Sequence, residues 1–247
     1  MKKNKMMRVA SALLVAVLLT TCAISGTFAK YVTTASGSDT ARVAKWGVQV
    51  TGIADTLFGK TYAKDDSTTS ITNTVDATVD VVAPGTKNET GVTFSLTGTP
   101  EVAVRITFAV TNAAKNNDPV DVLLPTHDGY KDWTKDKDST ETFDLAADYY
   151  PVVFTLKDGS TTLKTGTIAE IKAFLEAKNG DYEANKNLAK LFGESGTGTY
   201  TLTWAWAIDG NDAADTYLGN VAAGIQSDAS ASTTIDFAIA ITVEQID

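Results

Sequence analysis

The chain is 247 residues long, with 30 Asp plus Glu against 21 Lys plus Arg, a single His and a single Cys. One Cys excludes an internal disulfide, and one His with one Cys excludes the usual His/Cys zinc centre. A formal charge of −9 opposes nucleic acid, whose phosphates it repels, while 43% hydrophobic and 21% charged residues suit a folded domain rather than a disordered chain.

The chain opens on an export signal. Lys2, Lys3, Lys5 and Arg8 form a positive region without an acid, residues 9–19 are apolar except for Ser11, and Gly26-Thr27-Phe28-Ala29 supplies small residues for cleavage. The apolar core of roughly 11–15 residues is shorter than the ~20 of a spanning helix; an uncleaved anchoring helix is the lesser alternative. Cys22 follows Leu19-Thr20-Thr21, which has the form of a lipoprotein box, but Thr21 stands where Gly, Ala or Ser is usual. An incidental leader Cys is favoured over a lipidated one. A cut between Ala29 and Lys30 leaves 218 residues and takes Lys2, Lys3, Lys5, Arg8 and Cys22 away, so the mature charge becomes −13. The expected organisation is a signal peptide over 1–29, an N-terminal arm over 30–39 and one β-sandwich domain over 40–247.

Thr makes up 35 of the residues after Ala29, and β-branched side chains favour strands. Short strands are expected at 46–50, 75–81 and 92–96, and again at 152–156. Period-2 alternation puts Val102, Val104, Ile106, Phe108 and Val110 on one face. It does the same for Tyr200, Leu202, Trp204, Trp206 and Ile208, and for Ile235, Phe237, Ile239, Ile241 and Val243. One apolar and one polar face per strand predicts antiparallel sheets packed as a sandwich. Loops are expected at 63–70, 115–119 and 131–142. Thr167-Ile168-Ala169-Glu170 is a capping box, and Ile168, Ile171, Phe174 and Leu175 continue at helical spacing. A second short helix is expected over 185–192.

Thr27-Phe28-Ala29-Lys30-Tyr31, followed by Asp39-Thr40-Ala41-Arg42-Val43-Ala44-Lys45-Trp46, resembles the start of TasA/camelysin-like secreted proteins, whose leaders are cut by a signal peptidase of the SipW type. Val82-Ala83-Pro84-Gly85-Thr86, residues 96–102, Asp215-Thr216-Tyr217-Leu218-Gly219 and residues 242–247 resemble segments of the same group. The resemblance implies a jelly-roll-like antiparallel β-sandwich, exported and assembled into biofilm-matrix fibres in which one subunit's N-terminal segment adds as a strand to the next. The matching segment is the arm, with Tyr31, Val32, Thr33 and Thr34 as the candidate donor strand. Its β-prone residues precede a flexible Ala35-Ser36-Gly37-Ser38 joint. A loose or self-packed terminus is the plain alternative.

No catalytic constellation is readable. His127, alone of its kind, sits in Pro125-Thr126-His127-Asp128-Gly129, which reads as a surface turn; no His-Glu-x-x-His pair can include it, so the metallopeptidase label of camelysin-like members does not transfer. There is no Gly-x-Ser-x-Gly elbow, and Gly193, Gly196 and Gly198 lack the following helix and Lys of a phosphate loop. Asp209, Asn211, Asp212 and Asp215 offer oxygens for calcium without EF-hand spacing, and a polar turn is the favoured reading. Trp204 and Trp206 share the apolar phase of their strand and read as core. Tyr130 and Trp133 are candidates for exposed aromatics that touch a partner or glycan, with covering of the sandwich edge the favoured reading.

The expectation is therefore a secreted, non-catalytic structural protein of the extracellular matrix or cell surface, needing no cofactor and free of membrane after cleavage. It meets a signal peptidase during export, then itself or matrix partners in fibres. The alternative is a secreted adhesin or glycan-binding module on the same sandwich.

Overall fold

A computed structural model describes residues 13–15, 42–53, 57–59, 61–63, 72–74, 80–110, 119–136 and 138–246. Residues 13–15 are helical and belong to an N-terminal unit, Met1–Val43 with Asp247, separate from the compact unit Ala44–Ile246. The rest of the leader, its cut at Ala29–Lys30, and the arm with Tyr31, Val32, Thr33 and Thr34 lie outside the described residues. Among the described residues no helix is long and apolar enough to cross a membrane.

The compact unit is an all-β sandwich of antiparallel sheets with short helices between strands. The strands in chain order are β1 (Gln49–Thr51), β2 (Thr61–Ala63), β3 (Thr72–Thr74), β4 (Lys87–Thr97), β5 (Val104–Val110), β6 (His127–Lys131) and β7 (Thr142–Leu145). They continue with β8 (Val152–Asp158), β9 (Thr161–Gly166), β10 (Gly180–Tyr182), β11 (Thr199–Trp206) and β12 (Ile239–Gln245). The larger sheet has the order β1-β4-β11-β8-β9 and the smaller β10-β5-β12; β2-β3 and β6-β7 are hairpins.

Alternation builds the core. Val92, Phe94 and Leu96 of β4, Tyr200, Leu202, Trp204 and Trp206 of β11, and Val152, Phe154 and Leu156 of β8 share one buried cluster with Val104, Ile106, Phe108 and Val110 of β5. Both tryptophans are core, as their phase predicts. Fully burying each such side chain contributes about 1.5–3 kcal/mol relative to exposure, the main source of stability in a domain whose described residues hold no Cys. The segment 57–59 plugs one end. The Leu57 carbonyl accepts from Asn88 Nδ2 at 2.9 Å and from Trp204 Nε1 at 2.8 Å, and Phe58 packs on Trp204.

Helix α1 (Ile168–Glu176) carries the expected capping box: Glu170 N–H donates to Thr167 Oγ1 at 3.2 Å, and Thr167 N–H donates to Glu170 Oε2 at 3.0 Å. Its Ile168, Ile171 and Leu175 are buried, and it packs on β5, β8 and β9. Its C-terminal end also closes part of a sheet margin. Phe108 N–H donates to Asn179 Oδ1 at 2.6 Å, Asn179 Nδ2 donates to the Phe108 carbonyl at 3.0 Å, and Val110 N–H donates to Glu176 Oε1 at 3.2 Å.

Several elements differ from the sequence reading. The second expected helix reduces to one 3₁₀ turn, Leu188–Lys190, capped by Asn187; its Leu188 and Leu191 are buried, so the apolar spacing is real but the helix is not continued. A further helix, α2 (Asp212–Ala222), extends well beyond the polar turn and single helical turn expected around Asp209–Asp215. The expected turn at His127 is instead the start of β6, while the loop expected at 131–142 is the connection of the β6-β7 hairpin, fastened by Tyr130, which stacks on Phe143 and meets Tyr217 of α2. β9 lay unread in a Thr-rich stretch. Of the expected strand at 75–81, residues 75–79 lie outside the described residues.

One irregularity shapes the larger sheet. Between the pairs Leu202↔Val92 and Trp204↔Asn88, β4 carries two more residues than β11. The bulge closes on itself: Gly91 N–H donates to Asn88 Oδ1 at 2.8 Å, with Gly91 at φ +67°. A β-carbon there would run into the Leu202 carbonyl. Gly91→Ala is therefore expected to cost about 1–3 kcal/mol, measured as a lower midpoint in urea unfolding; unchanged stability would show that the bulge does not require glycine.

Candidate functional site

The polar side chains singled out from the sequence do not converge. Asp209, Asn211 and Asp212 are exposed, whereas Asp215 turns into the core and accepts from Tyr149 Oη at 2.8 Å and Trp206 Nε1 at 3.1 Å. Among the described residues, no group of three or more His, Cys, Asp and Glu side chains stands close enough to hold a metal ion. His127 is exposed at the start of β6, its ring 4.6 Å from that of Tyr130. Tyr130 itself is only 4% exposed, with its hydroxyl donating to the Pro125 carbonyl at 2.9 Å. Trp133 is partly buried beneath Lys131, whose Nζ lies 4.3 Å from the ring centre. Both rings pack against the core cluster rather than standing free. Gly196 and Gly198 are packing glycines, set against the backbone of Ala189 and Leu96.

The buried carboxylates fasten elements together. Asp158 Oδ1 accepts from Thr197 N–H at 2.9 Å and from its hydroxyl at 2.6 Å, tying β8 to the turn before β11. Burial raises the Asp215 carboxyl, against the lowering effect of its bonds from Tyr149 and Trp206. Asp121 is 9% exposed and accepts from Ile168 N–H at 3.1 Å, at the start of α1. Its other oxygen is buried without a hydrogen-bond partner among the described residues, and burial pushes its pKa up to about 6.

The feature with binding potential is a backbone margin. β12 pairs with β5 along its whole length, Ile239↔Val110 through Gln245↔Val104. Among the described residues no strand pairs with its other side, and no backbone hydrogen bond from another described segment reaches β12 there. The inward residues of β5 are fully buried, but their neighbours Ile239, Ile241 and Val243 on β12 remain half-buried. On the opposite face an ionic row crosses the sheet. Asp181 of β10 takes two bonds from Arg105 of β5, at 2.7 and 2.9 Å, and Glu244 of β12 lies opposite Arg105 in register. Arg105 holds the Asp181 carboxyl below its ordinary range. β12 thus keeps one unshifted register with β5, while on its outer side alternate peptide groups have no backbone partner among the described residues and a row of aliphatic side chains lies beside them.

The other sheet margins are blunted. β1 and β10 are three residues each. β9 carries Lys164, which pairs with Glu170, and α1 packs on it. Short edges, edge lysines and covering helices are the usual protections against strand addition. β12 has seven residues and one charge, Glu244. Comparison with protein-family models, with curated proteins and with solved structures finds no match.

Asp121 gives a pH signature. Its folded pKa, about 6, lies above the ordinary value of 3.8; its stabilising effect is therefore complete below 3.8 and is lost as pH rises through 6. Asp121→Asn, neutral throughout, is expected to gain on the parent by up to about 3 kcal/mol between pH 4 and pH 7. Urea unfolding across that range checks this; parallel stability curves would contradict it.

Proposed function

We propose that this is a secreted, non-catalytic structural protein of the extracellular matrix or cell surface that assembles into fibres by strand addition. The arm over 30–39, freed by cleavage after Ala29, lies along β12 of the next copy. The observation that carries the reading is the open side of β12, where the inward row Ile239, Ile241 and Val243 is only half-buried. An added strand pairs the free peptide groups at about 0.5–1.5 kcal/mol per hydrogen bond. Its apolar side chains cover that row at roughly 1 kcal/mol per aliphatic residue. Tyr31-Val32-Thr33-Thr34 has the β character for this, and Ala35-Ser36-Gly37-Ser38 lets it reach away from its own domain. Donor and acceptor are different surfaces, so each copy offers one of each and the contact is head-to-tail. Such a contact propagates into a filament when it does not close into a ring.

Protein collected from the medium of an expressing culture should begin at Lys30 by N-terminal sequencing and form fibres under the electron microscope. Deleting 30–38 removes the donor, and Ile241→Lys sets a charge in the acceptor row. Both variants should keep the parent's circular dichroism and lose the fibres. Undiminished fibres from either folded variant would overturn the strand-addition reading.

A further inference from the structure

The larger sheet carries, on its outward face, a groove of about 420 Å³ that strand addition at β12 does not use. The volume lies within the range of small-ligand sites. It sits where the β4 bulge interrupts the pairing with β11, and bulges recur beside binding sites because they bend a strand and re-aim its side chains. The groove is chemically mixed. Val153, 43% exposed, and the exposed Ala205 present a small apolar patch. Thr155 and Thr203, paired across β8 and β11, add hydroxyl groups. The Thr203 hydroxyl donates to the Thr155 carbonyl at 3.3 Å, and those of Thr155 and Thr165 lie 3.4 Å apart; both bonds are long and leave acceptor capacity free.

The groove also carries positive charge. Lys87 and Lys157 both line the groove, against one acid, Glu89, which pairs with Lys87 at 3.0 Å. Lys157 makes no ion pair among the described residues. In a chain of formal charge −9 this is a local positive excess. A polyanion is attracted where an ammonium is not matched by a carboxylate, and the Debye length of about 8 Å at physiological salt keeps that attraction local.

We propose that the groove binds a uronic acid unit of an acidic polysaccharide. The sugar carboxylate meets the Lys157 ammonium, ring hydroxyls meet Thr155 and Thr203, and the C–H face of the pyranose lies on Val153 and Ala205. A glycerol-phosphate polymer satisfies the ammonium but has no ring for the apolar patch, and a neutral sugar satisfies the patch but leaves the ammonium unused. The site lies on a different sheet from β12 and stands or falls separately from fibre assembly.

Titration calorimetry of the purified full chain tests this with trigalacturonate, neutral maltotriose and a glycerol-phosphate oligomer as probes. Trigalacturonate should bind, and each of the other two at least about tenfold more weakly. Lys157→Ala should weaken trigalacturonate by about tenfold or more, and Ala205→Asp, which sets a carboxylate on the patch, should abolish it. Both positions are on the outward face, so the melting transition should survive in both variants. Absence of trigalacturonate binding at millimolar concentration, equal binding to folded Lys157→Ala, or equally tight binding of either other probe would overturn the proposal.

Discussion

Peptide N–H and C=O groups along a sheet margin must be paired, covered or left to water, and the way this fold treats its margins organises the rest of its behaviour. At β5 one flank is closed first by β10 and then by side chains from the end of α1, where Asn179 and Glu176 take the bonds that a longer β10 would have made. The other flank is closed by β12, which passes the open edge outward by one strand. A five-stranded sheet thus faces a three-stranded one. The imbalance is visible as half-buried aliphatic side chains on β12 beside fully buried ones on β5. The proposed function follows from that geometry more than from any single side chain.

The rest of the domain makes such an edge tolerable. Its core runs continuously through both sheets, with β4, β11 and β8 carrying the largest buried side chains. The edge strand therefore hangs on a core that does not depend on it for most of its burial. On the solvent face Arg105 pairs with Asp181 of β10 and stands opposite Glu244 of β12, and β12 keeps an unshifted register with β5 along its seven residues. Buried carboxylates fasten the elements around this core: Asp158 to a turn, Asp121 to a helix start, Asp215 to Tyr149 and Trp206.

Local chemistry was legible in the sequence and long-range pairing was not. The α1 capping box and the alternation over Val104–Val110 and Tyr200–Trp206 depend on residues within a few positions of one another, and they read correctly; Ile208, expected on the same apolar face, lies beyond β11 and is exposed. Helix α2 had a usable signal, Ala214, Tyr217, Leu218 and Val221 at helical spacing, but Gly219 and Asn220 within it lower its propensity. The β6-β7 hairpin is polar and glycine-bearing; tertiary stacking of Tyr130 on Phe143 and Tyr217 makes it a strand pair. Alternation found Ile239, Ile241 and Val243, yet nothing local says that their strand is the last of its sheet. The groove is less visible still, because Lys87, Lys157 and Thr203 meet only through the β4-β11-β8 register.

The open margin is tested most directly by amide hydrogen exchange on the cleaved protein before and after assembly. In the separate molecule the amides of β12 on its outer side should exchange quickly while those of β5 are protected. In the assembled form the same β12 amides should slow by orders of magnitude, with the outward face of the larger sheet unchanged. Protection of β12 already complete in the separate molecule, or identical in both forms, would contradict the account.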